Sequence, residues 1–165
     1  MNLSNPVPGE LAVQGLVEAI ALNKGDDTLA LVLAPSQWET LSNYMQPVSL
    51  TAGQVLFKQG AADRTLYFVQ SGALQVHLVG DPGRAPSVVV IVGPGSVVGE
   101  GGFFSNLPRS ATVQVDSACT LWSLSRARFQ ELAHRKPDIA LEVTLAAAAV
   151  VARRMMMGKY RSAVT

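Results

Sequence analysis

The segment GEGGFFSNLPRSATV, Gly99 to Val113, carries the residues of this chain best suited to hold a small charged ligand. Glu100 and Arg109 stand nine residues apart at its two ends, with Gly101 and Gly102 between them. Successive glycines leave backbone N–H groups unshielded. A helical turn over Gly101–Ser105 aims its unpaired N–H groups toward the start of the segment, where they favour a phosphate. Arg109 adds a planar, charged fork that matches phosphate oxygens. Glu100 repels phosphate, so its place is against another part of the ligand. A ribose hydroxyl fits, as acidic residues serve in dinucleotide sites. The alternative is a mutual Glu100–Arg109 salt bridge that closes a surface loop.

Charge counting narrows the ligand. One arginine with backbone N–H groups balances a singly charged phosphodiester. A nucleoside triphosphate calls for Mg²⁺ and a P-loop lysine, and no Gly-Lys-Ser/Thr follows these glycines. A small monoanionic nucleotide is the better match.

The elements that must position this segment change period along the chain. GELAVQGLVEAIAL (9–22) and PSQWETLSNYM (35–45) read as helices. From residue 46 the chain turns to short runs rich in β-branched and aromatic residues: VSLTAG, QVLFKQG, TLYFVQSG, ALQVHLVG, SVVVIVG, ATVQVDS and CTLWSLS. Glycines 53, 60, 72, 80 and 93 close several of them, and GDPGRAP (80–86) reads as a hairpin tip. This spacing predicts seven or eight strands in an antiparallel sandwich or barrel. Helix returns at Ser125, in SRARFQELAHRKPD and then over 137–160. Along that last helix the stripe Ile139, Val143, Ala146, Val150, Arg153 and Met157 steps by four and three, the pattern of a dimer seam. The alternative is a helix that simply covers the barrel.

Composition excludes much else. In 165 residues, 48% are apolar and 15% charged, which suits one domain with a real core. A net charge of +1, from 13 basic and 12 acidic residues, gives no footprint for DNA or RNA. The single cysteine, Cys119, reads as a small core residue and rules out an intramolecular disulfide. The chain's 2 histidines, His77 and His134, make a metal site an unfavoured reading. Ser105 and Ser110 have no histidine in reach by sequence, so no catalytic role is expected. The start, MNLSNPVPGELAV, lacks a signal-peptide pattern, and the apolar stretch 139–152 is too short to span a membrane. These features predict a soluble, cytoplasmic protein with no metal or other cofactor.

GEGGFFSNLPRSATV resembles the phosphate-binding cassette of cyclic-nucleotide-binding domains: Gly-Glu, a short turn of small and apolar residues, then Pro-Arg, a small residue, Ala, any residue, Val. LTAGQVLFKQGAADRTLYFVQSGALQV resembles that family's first strands. SRARFQELAHRKPDIALEV is similar to the junction into the long helix of the catabolite activator protein. The resemblance implies a mainly β fold, an antiparallel β-roll of jelly-roll type with N-terminal helices, a short cassette helix and a long C-terminal helix. It divides the chain into a helical extension (1–45), the β-roll (46–134) and a C-terminal lid or dimerisation helix (135–165). It implies cAMP or cGMP as the ligand. Val98, Gly99, Glu100, Gly101, Gly102, Arg109, Ser110, Ala111 and Arg154 would lie at that ligand. Glu100 would accept from the ribose 2′-hydroxyl, and Arg109 would pair with the cyclic phosphate. The N–H groups near Gly101, Gly102 and Ala111 would complete the cradle. Ser110 would add a hydroxyl, and Arg153 or Arg154 would cap the base by cation–π stacking. Gly101 departs from the family's larger aliphatic residue.

The expected function is a stand-alone, non-enzymatic sensor. It would signal through its C-terminal helix to a partner protein or within a homodimer, with no DNA-reading module. The alternatives are a ligand-free interaction module, which Gly101 favours, and a binder of a cyclic dinucleotide. Arg84 and Arg154 are the loose candidates for a second phosphate.

Overall fold

The computed structural model describes residues 8–78 and 87–157, with side chains over 12–78 and 90–157. The expected hairpin tip at 80–86, Arg84 and the chain from Gly158 onward lie outside the described residues. Two helices, α1 (Pro8–Leu22) and α2 (Pro35–Ser42), precede the strands β1 (Gln46–Leu50), β2 (Val55–Phe57), β3 (Thr65–Leu78), β4 (Ser87–Val92) and β5 (Val97–Val98). A single helical turn, α3 (Glu100–Phe104), leads to β6 (Thr112–Ser125), α4 (Arg126–Arg135) and α5 (Pro137–Met156).

Two 14-residue strands organise the roll. β3 and β6 pair antiparallel from Thr65↔Ser125 to His77↔Thr112, with register irregularities between Val69 and Leu74. On one side of the irregularities β1 pairs with β6 and β5 with β3; on the other, β2 pairs with β6 and β4 with β3. One ribbon folded on itself thus makes two facing layers. The sequence reading placed a turn at Gly72 and separate strands on either side of it. Gly72 instead sits inside β3 at φ +78°, where a Cβ would come 2.3 Å from the Ala118 carbonyl oxygen. The glycine lets the ribbon bend and cross its neighbour closely. Four expected strands therefore merge into two, and six strands stand among the described residues.

Alternation sends side chains to two cores. Between the layers lie Phe57, Val69, Leu74, Val76, Val92, Val98, Val113, Val115, Cys119 and Leu121. The outward residues Leu66, Phe68, Val97, Trp122 and Leu124 pack against Leu16 of α1, Trp38 of α2, Leu132 of α4, and Ile139, Val143 and Val150 of α5.

That packing corrects the helix register. Ile139, Val143, Ala146 and Val150, read above as a dimer seam, are at most 6% exposed and cover the roll. The outward face of α5 carries Leu141, Leu145, Ala148, Ala152 and Met155, all exposed and also stepping by four and three.

Candidate functional site

The glycine-rich segment folds as one unit against the roll. β5 ends at the buried Val98, and Gly99 follows in a left-handed conformation (φ 90°, ψ 4°) as the N-cap of α3. A side chain at Gly99 would meet the Thr65 carbonyl oxygen at 2.5 Å and an Arg109 guanidinium nitrogen at 2.7 Å. At Gly102 a Cβ would lie 3.2 Å from the same nitrogen. Both glycines therefore make room for Arg109. Phe103 N–H donates to Gly99 O and Ser105 N–H to Gly101 O, closing the turn. A helix this short leaves its first N–H groups outside its own ladder, as an anion site requires.

Arg109 is 1% exposed. Its backbone is pinned to the β2–β3 loop: Arg109 N–H donates to Ala61 O, and Gly60 N–H donates to Arg109 O, each at 2.8 Å. The guanidinium donates to Gly99 O (2.8 Å), to Thr65 O (2.7 Å) and to the Asp63 carboxylate. It lies over the Phe57 ring, 4.1 Å from the centroid. Its Nε–H is buried with no partner among the described residues. An orphaned donor on a buried cation costs free energy until an acceptor reaches it.

Glu100 is 0% exposed and accepts from the Arg154 guanidinium at 2.5 Å. Arg154, 1% exposed, also donates to Ser96 Oγ (3.1 Å) and Val97 O (3.0 Å), with the Asp27 carboxylate 3.8 Å away. The ends of the segment thus hold separate ion pairs, Glu100–Arg154 and Arg109–Asp63, in place of the mutual bridge weighed from sequence. Arg154 lies beside the Glu100 carboxylate, its guanidinium held by Glu100, Ser96 and Val97. Arg153 donates to the backbone carbonyls of Asp26 and Thr28.

A groove of about 410 Å³ opens between the cassette and α5, lined by Glu100, Gly101, Gly102, Ser110 and Val151 among others. Ser110 is exposed, while Ala111 is buried in the roll. At the other end of the cassette, Phe103 packs edge-on against Phe129, and Arg126 donates to Phe103 O. The cassette therefore touches both C-terminal helices.

Tyr67, stacked 6.0 Å from Phe57, is pushed above its ordinary pKa, first by burial and then by the Asp63 carboxylate. Burial likewise raises the Cys119 thiol. Among the described residues no three His, Cys, Asp or Glu side chains converge as metal ligands, and no helix is long and apolar enough to cross a membrane.

Sequence reasoning missed Asp63, Phe57, Ser96 and Asp27. Asp63 lies in a polar loop 46 residues from Arg109, and no local pattern links the two.

The acetyltransferase Pat of Mycolicibacterium smegmatis is 34% identical over 101 residues, 61% of this chain and 29% of that protein. The chain spans under a third of the length of the curated relatives it matches first. The Thermus thermophilus catabolite activator protein superposes with a TM-score of 0.68 at 28% identity, covering 79% of this chain and 59% of that one. The regulatory domain of Toxoplasma gondii PKA, crystallised with cAMP, superposes with a TM-score of 0.62 at 29% identity, covering 92% and 50%. The family model of the cyclic nucleotide-binding domain matches residues 47–136, more than half of the chain. With its β-roll and its cassette, this chain belongs to the cyclic nucleotide-binding domain family.

Proposed function

We propose that this chain is a non-enzymatic sensor that binds cAMP or cGMP and reports occupancy through α5. The observation that carries the reading is the buried Arg109 guanidinium with its unpartnered Nε–H. It lies beside a glycine-lined helical turn, where a singly charged cyclic phosphate finds its acceptor positions met. Glu100 then takes the ribose 2′-hydroxyl, because each carboxylate oxygen has more than one lone-pair site and accepts more than one hydrogen bond. Ser110 and Val151, on the groove wall, border the sugar and base. The relative crystallised with cAMP supports the ligand class.

The readout follows from connectivity. Glu100 is ion-paired to the last turn of α5, so a ligand that engages Glu100 differently in two arrangements of α5 shifts their populations by that difference. The exposed stripe Leu141, Leu145, Ala148, Ala152 and Met155 offers the surface on which α5 signals, by pairing with a second copy or a protein partner.

Titration calorimetry of nucleotide-stripped protein with cAMP, cGMP and a cyclic dinucleotide tests this. Micromolar or tighter binding of one cyclic mononucleotide, weakened at least 100-fold in Arg109→Ala, is the expected result. Folded protein that gives neither heat nor thermal stabilisation with any of them favours a ligand-free scaffold with a degenerate pocket, the reading that Gly101 suggests. Binding that survives unchanged in Arg109→Ala overturns the assigned site.

A further inference from the structure

The cation that holds Glu100 sits on the last turn of α5, and helix ends are where local opening starts. Part of what fixes this turn comes from the N-terminal extension. Arg153 donates to Asp26 O and Thr28 O, and the Asp27 carboxylate faces Arg154 at 3.8 Å. The loop carrying these residues is laced to the turn just before the cassette. Ser96 Oγ donates to Asp27 O (2.8 Å), Leu29 N–H to Gly95 O (2.9 Å), and Asn23 Nδ2 to Pro94 O (3.1 Å). Gly95, at φ +78°, has no room for a Cβ, which would fall 2.4 Å from Ala19 O of α1. Three segments remote in sequence thus meet around one buried guanidinium.

We propose that the Asp26–Thr28 loop is a clasp that positions Glu100, and that Asp27 is its positioning residue. The proposal rests on the nucleotide reading above. Arg154 donates to Glu100 through Nη1 and to Ser96 Oγ and Val97 O through Nη2, and the Asp27 carboxylate faces Nη2 at 3.8 Å. The hydrogen bonds to Ser96 and Val97 fix the plane of the fork, and Asp27 draws part of the guanidinium's charge away from Glu100, leaving that carboxylate a stronger acceptor toward the ribose hydroxyl. Without Asp27, Glu100 alone among these carboxylates offsets the Arg154 charge, and it loses acceptor strength toward the ligand. The N-terminal extension is then part of the ribose-recognition machinery.

The test compares the wild type with Asp27→Asn, Asp27→Ala and Arg153→Ala in the full chain. Affinities are measured for cAMP, cGMP and their 2′-deoxy analogues, and hydrogen exchange for the amides of residues 152–157. Only the 2′-hydroxyl differs within each ligand pair, so the ribo-to-deoxy affinity ratio reports Glu100 and is not moved by a general loss of stability. The expected result is a ratio about 3- to 10-fold lower in the Asp27 variants. Exchange at the end of α5 should be faster by a similar factor, most of all in Arg153→Ala. Asp27→Asn keeps the side-chain volume should Asp27→Ala fold poorly. Wild-type binding with an unchanged ratio and unchanged exchange in all three variants overturns the clasp. If the wild type binds none of the nucleotides, the nucleotide reading and the positioning role fall together. Unchanged exchange in that case removes the clasp as well, whereas faster exchange keeps it as a structural tie.

Discussion

Replacing Arg154 with methionine removes the cation from a carboxylate that is 0% exposed and leaves an apolar side chain of comparable length. Breaking a buried ion pair from one side strands the other charge, at a cost of about 3–5 kcal/mol. A domain has only ~5–15 kcal/mol of net stability, so the loss is a large share of the whole. In a chain of this size it corresponds to a fall in Tm of roughly 6–20 °C. The exposed pair Arg128–Glu131, with side chains 47% and 39% exposed, supplies the control. Arg128→Met there removes a solvent-screened contact expected to contribute under about 1 kcal/mol. The double variant Glu100→Gln, Arg154→Met removes both charges, and well-packed neutral replacements of buried pairs are often tolerated. It should therefore be more stable than Arg154→Met alone, with a coupling of at least ~2 kcal/mol across the cycle. Urea unfolding followed by circular dichroism measures the wild type, Glu100→Gln, Arg154→Met, the double variant and the Arg128→Met control, provided that the m-values agree. An Arg154→Met variant within about 1 kcal/mol of wild type, or strict additivity in the cycle, refutes the claim that this pair is the buried tie between cassette and α5.

Four further outcomes follow from the geometry. Gly99→Ala combines a positive φ with a 2.5 Å clash at Thr65 O and should cost more than ~2 kcal/mol. Gly102→Ala presses on the Arg109 side chain at 3.2 and 3.3 Å, without the positive φ or the 2.5 Å backbone clash of Gly99, and should weaken nucleotide binding at a smaller cost in thermal stability than Gly99→Ala; wild-type affinity in Gly102→Ala would count against the assigned phosphate site. The folded chain holds the Tyr67 proton above the ordinary pKa of 10.0. That contribution to stability is fully present below about pH 10 and is lost as the pH rises further, because only the unfolded chain has released the proton. Tyr67→Phe should flatten that alkaline fall in denaturation curves, and an unaltered slope would disprove the linkage. Leu145→Glu places a charge on the exposed face of α5 and should abolish self-association in light scattering. A wild type that is monomeric at high concentration sends that face to a different partner.

The cassette was legible in the sequence because its chemistry is local. Gly99, Glu100, Arg109, Ser110 and Ala111 lie within 13 residues, and the strand runs announce themselves by alternation. The periodic pattern of α5 was legible too, but not its direction. Two stripes of the same helix step by four and three, and an alanine-rich sequence does not distinguish them. Packing of Ile139, Val143 and Val150 against the roll decided which one turns inward.

Composition and spacing alone determined the mainly β class, the helical ends and the phosphate-suited segment, because each rests on contacts or preferences between near neighbours. Only the tertiary structure decided what the two charges of that segment bind. Arg109 meets Asp63 from the β2–β3 loop, and Glu100 meets Arg154 from α5, with Asp27 of the N-terminal loop close by. Buried charges take whichever opposite charge the fold delivers at hydrogen-bond distance, since an unpaired one is too costly to bury. That delivery depends on how one bent ribbon, folded at Gly72, and the helices on its outer face bring distant parts of the chain together.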